Sequence, residues 1–303
     1  MTIEMFLKYL RYELNYSVHT VLSYRNDLNQ FAEFLVGGGN DELRLESVTP
    51  NDVREWMMNR TQGGDSLRTI RRKVQSLRAL YKYMEREGLV DDNPAAEVEL
   101  AKLPKKLPSY MRVESMDALF DEQIDVTDFE AVRDRLMVMM LYETGIRRGE
   151  LIDLLDINVD TGKKEMKVHG KRDKDRIVPF GAELCQWIAM YRRQRNRVAG
   201  GHVENFFVRK NGEKLYPSLV YKVVHDALLE VGGGNKYSPH VLRHTFASAM
   251  LNDGAELNNV KELLGHESLA ATQVYTHITF RELKDNYQSA HPRALKKGGQ
   301  HGN

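Results

Sequence analysis

A proline- and lysine-rich segment divides this 303-residue chain near the end of its first third. Residues 101–108 read Ala-Lys-Leu-Pro-Lys-Lys-Leu-Pro, and a proline inside a helix removes a backbone donor and clashes with the preceding turn. The segment is therefore not the interior of a helix. Because domains usually contain about 100–200 residues, we predict two of them, at 1–101 and 110–303, joined by an extended linker at 102–109.

The first domain is predicted to be all-helical. Between residues 66 and 88, apolar side chains recur at helical spacing, at Leu67, Ile70, Val74, Leu77, Leu80 and Met84. Further helices are predicted at 2–14, at 18–35 after the N-cap Ser17, and from Pro50 after the N-cap Thr49.

The formal net charge of the chain is only +1, so a nucleic-acid-binding function requires its basic residues to be clustered. Such a cluster covers the polar faces of the 66–88 helix. The candidate DNA-binding residues are Arg68, Arg71, Arg72, Lys73 and Arg78, and the linker adds Lys102, Lys105 and Lys106. The linker lysines are suited to follow a phosphate backbone, whereas the helix face is equally well explained as a solvated charged surface.

Composition excludes several classes of protein. Hydrophobic residues make up 42% and charged residues 29% of the chain, as in ordinary globular proteins, and no apolar run approaches the roughly 20 residues that a membrane span needs. The N-terminus lacks the basic flank and apolar core of a secretory signal. Cys185 is the single cysteine, so an internal disulfide is impossible and a cytoplasmic location is predicted.

The second domain is predicted to be mainly α-helical with a small antiparallel β-sheet. The nearly continuous apolar run at 128–144 is typical of a helix at a domain centre, and Gly145 is a natural terminator. Short strands are predicted at 164–169 and 177–180, and another helix at 239–252, beginning after Ser238.

A tyrosine near the end of the chain follows several cationic donors. Tyr275 lies downstream of His240, Arg243 and His266, and His240 and Arg243 share a helix face because they are three residues apart. A tyrosine titrates near pH ~10 and is a poor nucleophile at neutrality, so it needs a base or nearby positive charge to react. This combination is suited to attack of a phenol on a phosphodiester.

Three further residues can supply positive charge, and a pair of histidines suggests a metal site instead. Arg147 and Arg148 follow the apolar helix, where a planar guanidinium can enter a cleft and bind phosphate. The turn between the two strands can project Lys171 toward the same ligand. His240 and His244, four residues apart on a helix, could bind zinc, but the glutamate of the zinc-protease pattern is absent beside the first histidine.

Four segments in this order resemble the tyrosine recombinases, and particularly the bacterial Xer type. The matching segments are Thr144-Gly145-Ile146-Arg147-Arg148-Gly149-Glu150-Leu151, Gly170-Lys171, His240-Val241-Leu242-Arg243-His244-Thr245-Phe246-Ala247, and Leu264-Gly265-His266 through Tyr275-Thr276-His277. The resemblance covers almost the whole chain, from a helical N-terminal module similar to the family's core-binding domain to the tail at 291–294. It implies a two-domain clamp on duplex DNA.

The resemblance also implies a role for each matching residue. Tyr275 would attack the scissile phosphate, form a 3′-phosphotyrosyl link and release a 5′-hydroxyl, while Arg147 and Arg243 bind the non-bridging oxygens. The other roles would be general acid for Lys171, proton acceptor for His240, additional phosphate donor for His266, and orientation of the cationic groups for Glu150. Fixed cationic donors stabilise the charge of the transition state, so no metal or other cofactor is expected.

The resemblance also predicts partners for the chain, and two of its residues differ from the family pattern. The family acts as a tetramer on its DNA site, which predicts a homotetramer or a heterotetramer with a second recombinase, docked through a tail helix at 280–289, with an accessory DNA motor protein as a further partner. Arg172 stands where the family often has glycine, and Gly149 where it often has serine. Lys174 is therefore the alternative to Lys171 as general acid.

The predicted function is site-specific recombination that resolves chromosome or plasmid dimers. The integrase of a mobile element is the alternative within the same chemistry, and we expect no extra N-terminal arm-binding domain, which favours dimer resolution. A catalytically silent DNA-binding protein of the same fold is a third hypothesis. A type IB topoisomerase, which shares the covalent step without a tetramer, is a fourth.

Overall fold

The computed structural model describes residues 2–37, 44–103, 110–170, 175–200, 203–232 and 237–265. The chain divides into two compact units, Met1–Lys106 and Leu107–Asn303. This division lies within the segment 102–109 that was predicted as a linker. Within the described ranges, no helix is both long enough and apolar enough to cross a membrane.

The regular elements in the described residues of the first unit are all helical, as predicted. Its elements are α1 (Thr2–Lys8), a π-helical segment (Tyr9–Glu13), α2 (Val18–Gly37), a short 3-10 turn (Leu45–Ser47), α3 (Pro50–Gln62) and α4 (Leu67–Arg86). The predicted N-caps are confirmed. The Thr49 and Asp52 side chains form a reciprocal capping box at the start of α3, and the Ser17 hydroxyl accepts a hydrogen bond from the backbone of Thr20.

Helix α4 provides one side of the core of the first unit. Val74, Leu77 and Leu80 of its apolar stripe are completely buried, whereas Leu67 at the start of the helix is half exposed. This stripe packs in the same cluster as Phe31 and Trp56, whose rings meet edge to face with centroids 5.1 Å apart. The predicted amphipathic helix at 66–88 is therefore confirmed.

The second unit combines helices with a three-stranded antiparallel sheet, so the predicted fold class is confirmed. Its helices are α5 (Val113–Asp121), α6 (Phe129–Thr144), α7 (Arg148–Ile152), α8 (Ala182–Val198), α9 (Pro217–Val231), α10 (Pro239–Asn252) and α11 (Leu257–Leu264). The strands are β1 (Val159–Asp160), β2 (Glu165–His169) and β3 (Asp175–Pro179), in the order β1-β2-β3. Met166 pairs with Val178, and both side chains enter the core.

Helix α6 lies at the centre of this unit, because nearly all of its faces are apolar and buried. The predicted terminator is confirmed: Gly145 adopts a left-handed conformation with φ of 61°. A Cβ atom at this position would lie 2.6 Å from the ring of Phe246 and 2.7 Å from a methyl group of Leu264. The chain therefore turns tightly after α6, and this turn places Arg147 at the start of α7.

Helices α10 and α11 form a smaller apolar cluster beside the main core. Phe246 and Met250 of α10 pack against Val260, Leu263 and Leu264 of α11. Ser238 occupies the N-cap position of α10 as predicted, although its side chain makes no capping hydrogen bond, and the helix ends before Asp253. This packing fixes the C-terminal end of α11 close to the turn at Gly145.

Candidate active site

Arg147 and Glu150 form a compact pair at the start of α7. One carboxylate oxygen of Glu150 accepts from the backbone N–H of Arg147 at 2.8 Å, and the other accepts from the Arg147 guanidinium at 2.7 Å. Glu150 is buried, whereas a quarter of the Arg147 side chain reaches solvent. The predicted pairing of a phosphate-binding arginine with an acidic orienting residue is consistent with this geometry.

Arg243 reaches the same place from α10. Its side chain is buried and donates to the carbonyl oxygen of Gly145 at 2.6 Å and to that of Leu264 at 2.5 Å. A guanidinium has five N–H donors, so these two contacts leave others for a ligand. The structure therefore brings together Arg147, Glu150 and Arg243, which the sequence separates by almost a hundred residues.

A third arginine, Arg176 of β3, completes the cluster, although no sequence motif marked it as a site residue. It donates to both carboxylate oxygens of Glu150, each at 2.8 Å, and through Nε to the carbonyl of Leu263 at 2.8 Å. No predicted element contained this residue, because the second strand was predicted to begin at Ile177, and a single arginine next to a charged turn has no distinctive pattern. The residues that it contacts lie 26 and 87 positions away.

The C-terminal end of α11 is held by all three arginines. The carbonyls of Leu263, Leu264 and Gly265 are consecutive, and they accept from Arg176, Arg243 and Arg147 respectively. The last carbonyls of a helix have no partner within the helix and carry the negative end of its dipole, so guanidinium groups there are stabilising. His266, predicted as a phosphate donor, follows Gly265 directly in sequence.

The charges of this cluster shift the pKa values of its members. Burial opposes ionisation of Glu150, but its hydrogen bonds with Arg176 and then Arg147 are stronger together and lower the pKa of its carboxyl. Burial first, and the charge of Arg147 second, lower the pKa of Arg243. At a pKa of about 9, that guanidinium is still protonated at neutral pH. The cluster is therefore cationic overall and electrostatically suited to an anion.

His240 lies on α10, three residues before Arg243. Much of its side chain is exposed, yet partial burial of the ring, followed by the charges of Arg148, His244, Arg243 and Arg147, lowers its pKa. The ring is therefore neutral at pH 7 and able to accept a proton, as its predicted role requires. His244 is exposed. Within the described part of the chain, no group of three histidine, cysteine, aspartate or glutamate side chains could hold a metal ion.

Three predicted catalytic residues, Lys171, His266 and Tyr275, lie outside the described residues. The alternative general acid Lys174 and the predicted tail helix at 280–289 also lie outside them. Their roles stay predictions.

The candidate DNA-binding residues of α4 have intramolecular contacts in the first unit. Lys73 is buried and donates to Asp65 and Gln30, each at 2.6 Å. Arg71 and Arg78 donate to backbone carbonyls at 95–101, and Arg72 pairs with the buried Asp27. Arg68 and Lys102 are exposed, whereas Lys105 and Lys106 lie outside the described residues. That these residues bind DNA stays a prediction, and exposed positions are best placed for it.

Family models cover most of the chain. Residues 109–282 match the phage integrase family, and residues 3–88 match the N-terminal SAM-like domain of phage integrases. The chain is 38% identical over 300 residues to tyrosine recombinase XerC of Oceanobacillus iheyensis, with 96% of each chain covered. It is 36% identical over 314 residues to tyrosine recombinase XerC of Chlorobaculum tepidum, covering 95% of this chain and 94% of that protein.

Solved structures show the same fold. The XerH site-specific recombinase bound to its difH substrate matches with a TM-score of 0.67 at 23% identity, covering 93% of this chain and 82% of that one. The Tn1549 transposon integrase in complex with transposon right end DNA matches with a TM-score of 0.69 at 19% identity, covering 95% and 98%. The chain therefore belongs to the phage integrase family, as a tyrosine recombinase. Members of this class are enzymes that cleave and rejoin DNA.

Proposed function

We propose that this tyrosine recombinase exchanges DNA strands at a specific site and thereby resolves chromosome or plasmid dimers. The observation that carries the proposal is the convergence of Arg147 and Arg243, from two different helices, on consecutive carbonyls at the end of α11. A scissile phosphate is an anion that such a pair can hold from two sides. The full-length likeness to XerC proteins supports the Xer role, and the family resemblance supports the individual residue roles below.

The proposed cleavage step forms one bond and breaks another. The phenolic oxygen of Tyr275 attacks the phosphorus while His240 accepts the phenol proton. The bond to the 5′-oxygen breaks, and Lys171 protonates that leaving group. Arg147, Arg243 and His266 donate to the non-bridging oxygens, where negative charge accumulates in the transition state.

The reverse step gives strand exchange. A phosphotyrosyl ester conserves the energy of the broken phosphodiester, so the 5′-hydroxyl of another strand can displace the tyrosine without ATP. We propose that this happens within a homotetramer or heterotetramer on duplex DNA. An accessory DNA motor protein and a cytoplasmic location belong to the same proposal, because Xer-type exchange acts on chromosomal DNA.

A nicked duplex that carries the recombination site tests the chemistry. Cleavage beside the nick releases a short fragment and traps the enzyme on DNA, so we expect an adduct that survives denaturant. Tyr275→Phe should form no adduct and should bind DNA as well as the wild type. The absence of an adduct with the wild-type protein would favour the catalytically silent DNA-binding hypothesis.

The position of the bound site separates dimer resolution from integration. Nuclease protection followed by sequencing should find one site on the chromosome or on a plasmid. A protected site at the ends of a mobile element would instead support the integrase hypothesis. The likeness to the Tn1549 integrase does not favour that alternative, because at 19% identity it shows the fold alone.

A further inference from the structure

Arg176 is not among the residues to which the family resemblance gives a role, yet it lies at the centre of the cationic cluster. Its side chain is only 14% exposed, and three of its nitrogen atoms have a partner. Two of these nitrogens form a parallel pair of hydrogen bonds with Glu150, and the third holds the end of α11. The guanidinium therefore points at protein groups and is not directed to a substrate.

The first connection passes through Glu150. The oxygen Oε1 of Glu150 accepts from Arg176 at 2.8 Å and from Arg147 at 2.7 Å, so one atom joins the two arginines. The planar fork of Arg176 fixes both oxygens of the carboxylate and thus its rotation. The guanidinium of Arg147 is oriented by a carboxylate that Arg176 itself holds.

The second connection passes through the backbone of α11. Arg176 holds the carbonyl of Leu263, and the next two carbonyls hold Arg243 and Arg147. The approach is close, since a Cβ atom at Gly265 would lie 3.3 Å from Nη1 of Arg176. A shift of this helix end would therefore move both proposed phosphate-binding arginines.

We propose that Arg176 is a positioning residue for strand cleavage, acting through Glu150 and the end of α11. This inference rests on the proposed function. A lysine at this position keeps the positive charge but cannot donate in parallel to both carboxylate oxygens and to a carbonyl. Misplacement of catalytic groups by about 1 Å can cost around a hundredfold in rate. Arg176→Lys should therefore lower the rate of covalent adduct formation about ten- to a hundredfold.

The rate is measured in single turnover on the nicked duplex, with protein in excess, and affinity is measured separately by fluorescence anisotropy of labelled DNA. A positioning role predicts a slower cleavage step with a Kd within about threefold of wild type, because phosphate contacts across the whole site dominate affinity. The double variant with Glu150→Gln should be little slower than Glu150→Gln alone, because the two residues act in one chain of contacts.

Arg192 of α8 offers a matched control. It also donates to a carboxylate, that of Asp156, and to two backbone carbonyls, those of Asp156 and Val159, and it is 25% exposed. Arg192→Lys should lower the thermal midpoint by an amount similar to Arg176→Lys but leave the cleavage rate unchanged. Equal slowing by both variants would mean a purely structural role and would overturn the proposal.

A second variant disturbs the contact without removing Arg176. Gly265→Ala places a methyl group against the guanidinium, whereas Gly254→Ala also puts a side chain at a positive φ but with open space around it. We expect slower cleavage with Gly265→Ala and an unchanged rate with Gly254→Ala. If Arg176→Lys does not fold, the comparison of these two glycine variants tests the positioning role. Wild-type rates for Arg176→Lys or Gly265→Ala would overturn this inference only. A wild-type protein without adduct would overturn the proposed function as well.

Discussion

The sharpest test of the cluster's energetics is Glu150→Gln, which removes one negative charge and keeps the shape of the side chain. Each oxygen of the Glu150 carboxylate accepts two hydrogen bonds, from Arg147 and from Arg176. The amide nitrogen of glutamine is a donor, so whichever oxygen it replaces loses two bonds and faces two other donors. Hydrogen bonds to charged groups contribute about 1.5–3 kcal/mol each, and breaking a buried ion pair costs about 3–5 kcal/mol.

We therefore expect the second unit to lose about 3–5 kcal/mol of its free energy of unfolding. For a unit of this size, that loss corresponds to a fall in Tm of about 6–20 °C. Hydrogen–deuterium exchange at increasing urea concentration, read from peptides within 110–265, separates this unit from the first. The control is Glu213→Gln, which removes an exposed ion pair with Arg209 and should cost less than about 1 kcal/mol.

The stability difference between wild type and Glu150→Gln should also depend on pH. Because the folded-state pKa of Glu150 is lowered, its stabilisation is complete above the unfolded value of about 4.3 and is lost as the pH falls through the folded value. The stability difference between wild type and Glu150→Gln should therefore be constant near neutrality and shrink below about pH 4. The reasoning would be refuted if the free energies of unfolding of wild type and Glu150→Gln differed by less than about 1 kcal/mol at pH 7, or if their difference grew in acid.

Three further predictions follow from local geometry. Gly145→Ala should lower the free energy of unfolding by about 2–4 kcal/mol, because it strains a left-handed backbone and overpacks the contact with α10 and α11. Gly149→Ala is the control in the same urea unfolding experiment, and it should be neutral or stabilising because Gly149 is helical and has open space around it. Arg148→Gln should raise the pKa of His240 in an NMR titration, because Arg148 is the charged residue with the largest lowering effect on that pKa. An unchanged pKa would contradict this attribution. Thr49→Ala should cost about 1 kcal/mol through loss of the α3 capping box, measured in the first unit.

Much of the secondary structure could be predicted from the sequence, because its signals are local. Thr49 and Pro50 marked the start of α3, and Gly145 the end of α6, since caps and terminators act within a few residues of backbone. The π-helical segment at Tyr9–Glu13 was predicted only as ordinary helix, because a single π-helical turn next to an α-helix is too short to show its own periodicity. The roles of Tyr275 and Lys171 came from the family resemblance, and they stay predictions.

The sequence determined the helical character of the chain, and its resemblance to the tyrosine recombinases predicted Arg147, Glu150 and Arg243 as residues of one site, which the structure brings together. Only the tertiary structure decided that Arg176 joins them and that three successive carbonyls of α11 hold three guanidinium groups. The physical reason is distance along the chain. These hydrogen bonds join residues that are 21 to 118 positions apart. Such residues meet only after α6, α10, α11 and the sheet have packed together, and no local sequence pattern encodes that packing.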